Sequence, residues 1–198
     1  MLVDSHSHLF LEEFAEDSPF ALERARAAGL THILMPNIDS TTIEPMLSVC
    51  DTYRDFCFPM IGLHPTSVNE SYEKELEIVA ANLETSGRFV AVGEIGIDLY
   101  WDKTWLKEQL IAFEKQVQWA LHYQLPIVIH CREAFDYIYK VLQPYKNSGL
   151  TGIFHSFTGT PGEAARMMEF PGFKIGINGV VTFKKSTLPE TLKSVPLE

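Results

Sequence analysis

Nearly continuous apolar runs of strand length recur along the chain, at residues 2–9, 32–38, 57–63, 89–97, 126–131, 151–157 and 173–181. They are rich in β-branched residues and do not alternate with polar ones, which is the pattern of strands covered on both faces in a parallel sheet. The segments between them have helical period and readable ends. Ser18 with Pro19 predicts the start of one helix and Gly29 its end, while Thr41 with Glu44 and Thr160 with Glu163 have capping-box spacing. The most regular helix is predicted over about 104–123, where Leu106, Leu110, Phe113, Val117 and Leu121 form one stripe. Strand and helix alternate strictly, without a residue-level repeat or a low-complexity linker, so one domain over 1–198 is expected.

A conspicuous polar residue stands at the trailing end of each apolar run: His8, Asn37, His64, Glu94, His130, His155 and Asn178. Each gap is long enough for one βα unit. Seven such units favour a barrel over an open doubly wound sheet, because a barrel gathers all the strand ends on one face. The expected fold is therefore α/β, a TIM-type (β/α)₈ barrel with seven of its eight units in this chain. A further unit of the same length would run past residue 198, so the eighth strand is expected to be missing. That would expose barrel edges through which copies could associate. The sequence ends at Pro196-Leu197-Glu198, where the last two residues are either native or a cloning scar.

Composition narrows the class. With 46% hydrophobic and 21% charged residues over 198 positions, the chain can enclose a core without a structural metal or disulfide, leaving any metal free for catalysis. Cys50, Cys57 and Cys131 form no CxxC pair, and no secretory signal pattern opens the chain, so a cytoplasmic location is expected. No apolar run approaches the ~20 residues that cross a bilayer, and no membrane partner is expected. The net charge of -10 argues against a broad basic footprint on duplex DNA, but not against a phosphodiester end entering a pocket whose local positive charge comes from metal ions.

The strand-end residues supply the chemistry. In Asp4-Ser5-His6-Ser7-His8, positions two apart on a strand share a face, so two imidazoles can chelate one ion while Asp4 orients a ring from behind. The alternative is a set of polar residues near a terminus. Glu94 interrupts an apolar strand between Gly93 and Gly96, where a buried carboxylate calls for a cation, either a metal or a distant Arg or Lys, and the glycines would clear space for a ligand. Singly, His130 and His155 would be satisfied core histidines. Together with the others they suggest one ion on His6 and His8, a second on His130 and His155, and Glu94 between them. Arg132 is a candidate for gripping a phosphate oxygen or for a surface ion pair, and His64 for hydrogen bonding to substrate or for a loop role. Cys131 is read as a packed thiol, and Asp98, Tyr100, Trp101 and Lys103 as residues of the mouth or of capping and packing.

Five motifs, Asp4-Ser5-His6-Ser7-His8-Leu9, Gly62-Leu63-His64-Pro65, Gly93-Glu94-Ile95-Gly96-Ile97-Asp98, Ile129-His130-Cys131-Arg132-Glu133-Ala134 and Phe154-His155-Ser156-Phe157-Thr158-Gly159, give the chain a resemblance to the TatD-type metal-dependent deoxyribonucleases of the amidohydrolase-like barrels. The resemblance implies that His6, His8, Glu94, His130 and His155 are metal ligands, with Glu94 bridging, and that the substrate is a phosphodiester in DNA. It also implies an eighth-strand Glu-Thr-Asp motif, which the sequence does not reach.

The expected activity is hydrolysis of DNA phosphodiesters, at ends or on single strands, by water activated on two divalent ions (Zn, Mn, Mg, Ni or Co). Glu94 would fix the metal spacing while Arg132 and His64 hold the phosphate. Two rivals are an amide, ester or lactone hydrolase using the same metal pair, and a metal-binding form left inactive by loss of the eighth strand.

Overall fold

The computed structural model describes residues 1–196. Seven strands alternate with seven helices: β1 (Leu2–Asp4), α1 (Ser18–Ala27), β2 (Leu30–Pro36), α2 (Ser40–Thr52), β3 (Cys57–Met60), α3 (Tyr72–Ser86), β4 (Val92–Asp98), α4 (Leu106–Tyr123), β5 (Ile127–Arg132), α5 (Phe135–Leu142), β6 (Gly152–Phe154), α6 (Pro161–Met167), β7 (Phe173–Ile175) and α7 (Leu188–Leu192). Every paired strand is parallel, in the orders β1-β2-β3 and β4-β5-β6-β7, and a bridge from Ile61 to Val92 joins the two ladders. Leu197 and Glu198, the terminal pair noted in the sequence, lie outside the described residues. No helix among the described residues is long and apolar enough to cross a membrane.

The strand array curls. In a flat sheet β1 and β6 would stand five strand spacings apart, about 24 Å at ~4.8 Å each, yet His6 just beyond β1 stacks on His155 just beyond β6 with ring centroids 3.5 Å apart. Two imidazole side chains cannot bridge such a gap, so the strand ends must converge on a common axis, as they do in a TIM-type barrel. The core lies between this array and the helices. Phe113 and Val117 of the α4 stripe are fully buried with Ile95, Ile97, Ile127 and Ile129, and Leu106, Leu110 and Leu121 pack partly buried at its margin.

Several local readings are corrected. Helix α1 starts at Ser18 with Asp17 in the cap position, so Ser18 is inside the helix. The capping box of α2 is formed by Asp39 and Thr42, not Thr41 and Glu44, whereas Thr160 and Glu163 do cap α6 reciprocally. Strands β1, β6 and β7 are shorter than their apolar runs, so His6, His8, His155 and Asn178 stand in the loops that leave the strands.

Candidate metal centre

Glu94 is the organising residue. The register of β4 against β5 runs from Gly93↔Val128 to Ile95↔Ile129, so Glu94 is the extra residue of a bulge. A bulged residue leaves the ladder and its side chain is re-aimed, which explains how a carboxylate inside an apolar strand turns to the strand-end face. The flanking glycines serve the strands and not a ligand, contrary to the sequence reading. A Cβ on Gly93 would come within 2.7 Å of the Val128 Cβ, and one on Gly96 (φ +146°) within 2.0 Å of the His130 carbonyl oxygen. Both are glycine because β5 occupies the space that a side chain would need.

Around the Glu94 carboxylate, 3% exposed as a residue, four imidazoles converge. Oε2 lies 3.0 Å from His6 Nε2, 3.6 Å from His64 Nε2 and 3.9 Å from His8 Nε2, while Oε1 lies 3.1 Å from His130 Nδ1. His6 and His8 bring their Nε2 atoms within 3.1 Å of each other. Burial alone would push Glu94 upward, but hydrogen bonds from His130 and then His6 hold its pKa well below the usual carboxylate range, so it is an anion.

The imidazoles divide by environment. Burial pulls His64 and His155 down to about 4, and burial with the neighbouring His6 lowers His8, so these rings are neutral at pH 7 and keep a lone pair. For His130 burial acts the same way but is outweighed by its bonds to Glu94 and to Asp98, whose Oδ2 is 2.8 Å from His130 Nε2, and its pKa is raised. His64 has a defined tautomer. The Thr66 backbone N–H donates to its Nδ1 at 3.2 Å, so the neutral ring carries its proton on Nε2, facing Glu94.

The structure groups these residues differently from the sequence reading: His155 falls with His6 and Glu94, and His64 falls with His130 and Glu94. Asp4 accepts from the His6 backbone N–H at 3.0 Å instead of orienting a ring, and His6 Nδ1 is buried without a partner among the described residues. Arg132 forms none of the ion pairs among the described residues; its guanidinium lies over the Tyr100 ring, 3.6 Å from the centroid. The Cys131 thiol is raised to about 12 by burial, in keeping with a packed thiol.

Asp98, 2% exposed, is the site residue that the sequence reading undervalued. The signal available in the sequence was the spacing of Glu94, Gly96 and Asp98 at alternate positions; that Gly96 pairs with His130 is set by strand register. Two further residues were missed because they belong to a helix. Gln109 of α4 accepts from the Asp98 N–H at 2.9 Å and donates to the Asp98 carbonyl at 3.2 Å, and Gln116 does the same for Leu63 at 2.7 and 3.3 Å. Asn37, noted as a strand-end polar residue, accepts from the Gly62 N–H at 2.8 Å and is fully buried, so it is part of the scaffold.

A buried anion ringed by imidazole nitrogens, three of the rings neutral, is a donor set suited to divalent cations. The partnerless His6 Nδ1 and the 3.1 Å approach of two Nε2 atoms fit the same reading.

The chain is similar to known proteins over nearly its whole length. A family model described as TatD related DNase matches residues 3–198. The chain is 34% identical over 197 residues to the protein named uncharacterized metal-dependent hydrolase YabD of Bacillus subtilis, covering 99% of this chain and 76% of that protein. It is 30% identical over 199 residues to a protein of Pantoea sp. named 3'-5' ssDNA/RNA exonuclease TatD, covering 100% and 76%. Its fold matches the crystal structure of the TatD homologue YjjV from Escherichia coli with a TM-score of 0.90 and 28% identity, covering 98% of this chain and 75% of that one.

Proposed function

This chain belongs to the TatD related DNase family of metal-dependent hydrolases, and on that premise we propose that it hydrolyses phosphodiesters in single-stranded nucleic acid, shortening strands from the 3' end with two divalent ions. The observation that carries the reading is the Glu94 carboxylate, with one oxygen facing His6 and His8 and the other facing His130. A carboxylate that offers one oxygen to each side is disposed to sit between two cations.

In this reading His6, His8 and His155 serve the Oε2 side, and His130 the Oε1 side. Divalent ions here would supply Lewis acidity, polarising a phosphoryl oxygen and making water more acidic. The chain's own groups do the rest. Asp98 holds the His130 ring from the far nitrogen, which fixes its orientation. His64, neutral and with its proton on Nε2, donates a hydrogen bond towards the centre and suits a phosphate oxygen better than a metal. Arg132 supplies a fixed positive charge at the mouth for the phosphate.

The test combines metal content with turnover. Wild-type protein purified without added ions and then loaded with Mn or Zn should shorten a single-stranded oligonucleotide labelled at its 5' end. Glu94→Gln should bind less metal and lose at least about 100-fold in rate, in keeping with removal of a group central to the chemistry. Metal-dependent turnover of a panel of amides, esters and lactones, with none on the oligonucleotide, would overturn the phosphodiester assignment and favour the carbonyl rival.

A further inference from the structure

The mouth of the site carries an aromatic cluster that packing does not explain. Trp101 is 72% exposed and Tyr100 49%, both in the turn that leaves β4. That turn is anchored to the centre by Asp98, which holds His130 through Oδ2 and accepts from the backbone N–H groups of Tyr100 (2.9 Å) and Trp101 (3.4 Å) through Oδ1. Arg132, two residues beyond His130, covers one face of Tyr100 and lies 5.4 Å from the Trp101 centroid. The two rings meet edge to face at 4.9 Å and 89°.

We propose that Trp101, backed by Tyr100 and Arg132, is a stacking platform for one base of a single-stranded nucleic acid whose phosphate enters the Glu94–His130 centre. The inference rests on the nuclease reading above and adds how the strand is gripped. Exposed aromatic rings beside a cation are the usual means of holding unpaired bases, because every base has a π face and stacking needs no particular sequence. A net charge of -10 disfavours a broad basic footprint on a row of phosphates, so contacts that do not depend on charge have a larger share in holding the strand. A guanidinium held over the Tyr100 ring and engaged in none of the ion pairs among the described residues keeps its N–H groups available to phosphate oxygens. Bases within a duplex are already stacked on each other, so the platform selects unpaired ends.

Binding is measured by fluorescence anisotropy on the full chain in chelator, where no hydrolysis occurs, with an oligothymidylate of about eight nucleotides and an abasic oligomer of the same length. Trp101→Ala should weaken oligothymidylate binding by about 5- to 150-fold, the range for loss of one base–aromatic stack, and leave abasic binding unchanged. Trp101→Phe should restore most of the loss. Equal affinity of wild type and Trp101→Ala for oligothymidylate, or an equal loss on both oligomers, would overturn the platform. If the metal-loaded wild type still cleaves the oligothymidylate in either case, the nuclease reading survives alone. If it neither binds nor cleaves it, both fall.

Discussion

Gly96→Ala isolates the demand that one glycine places on the site. The added Cβ would lie 2.0 Å from the His130 carbonyl oxygen and 3.0 Å from its carbon, at φ +146°. A carbon–oxygen contact of about 3.3 Å is the closest comfortable approach, so β4 and β5 must part locally by more than ~1 Å. The contacts facing that movement are Glu94 to His130 at 3.1 Å and Asp98 to His130 at 2.8 Å, and both would exceed hydrogen-bonding distance. The unfavourable backbone conformation costs about 1–3 kcal/mol, and each ladder hydrogen bond lost between the strands costs about 0.5–1.5 kcal/mol more. A loss of ~3 kcal/mol or more is expected, a large part of the stability of an ordinary domain. Gly29→Ala is the control. It also replaces a glycine of positive φ (+93°), but nothing lies within 4 Å of the added atom, so only the conformational cost of about 1 kcal/mol applies. Urea unfolding of both variants in chelator, with metal content measured beside it, gives the comparison. If Gly96→Ala has the midpoint and metal content of wild type, the strands have slack that this reasoning denies them.

Three other outcomes are expected. His64 and His155, held near 4 in the fold against about 6.5 when unfolded, contribute stability that is complete above pH 6.5 and drains as pH falls towards 4; His130, raised, works in the opposite sense over its own range. Metal-free protein should therefore lose roughly 2 kcal/mol per lowered histidine between pH 7 and 5, less the His130 offset, and a urea midpoint that holds or rises would refute this. The Cys50 thiol, pushed up to about 12 mainly by burial, should alkylate at pH 8 about 1000-fold more slowly in native than in urea-unfolded protein, and labelling at equal rates would contradict its environment. Closed circular duplex DNA should be a poor substrate beside single-stranded ends, and equal cleavage of the two would show that the acidic surface does not restrict binding.

Much of this was legible because two periodicities coincide in the chain. Runs buried on both faces mark the strands, and a polar residue at the end of each run marks where the fold turns towards its chemistry, as with Glu94, His130 and His155. What stayed hidden depends on register between distant segments. That His155 meets His6, and that Gly96 faces the His130 carbonyl, follows from strand pairing and curl, which no local pattern encodes. Asp98 was undervalued because its partner lies 32 positions away. Gln109 and Gln116 passed as ordinary helix polar residues because a stripe of apolar positions says nothing about amides beside it. Caps were misplaced by one or two residues at α1 and α2, where several adjacent Ser, Thr and Asp side chains compete for one role.

Those two glutamines give α4 a further part. They stand two helical turns apart, and each closes over both main-chain groups of one residue, Asp98 at the end of β4 and Leu63 in the segment just beyond β3. Peptide groups at a strand terminus ordinarily trade protons with solvent through small local openings. At Leu63 and Asp98 such an opening also requires α4 to lift, and α4 is packed through Phe113 and Val117 into the centre of the protein. The amides just before His64 and beneath the Tyr100–Trp101 turn should thus exchange in heavy water at the pace of the core and not at that of the rim. The fold thereby keeps the walls of its reaction chamber stiff with two uncharged side chains.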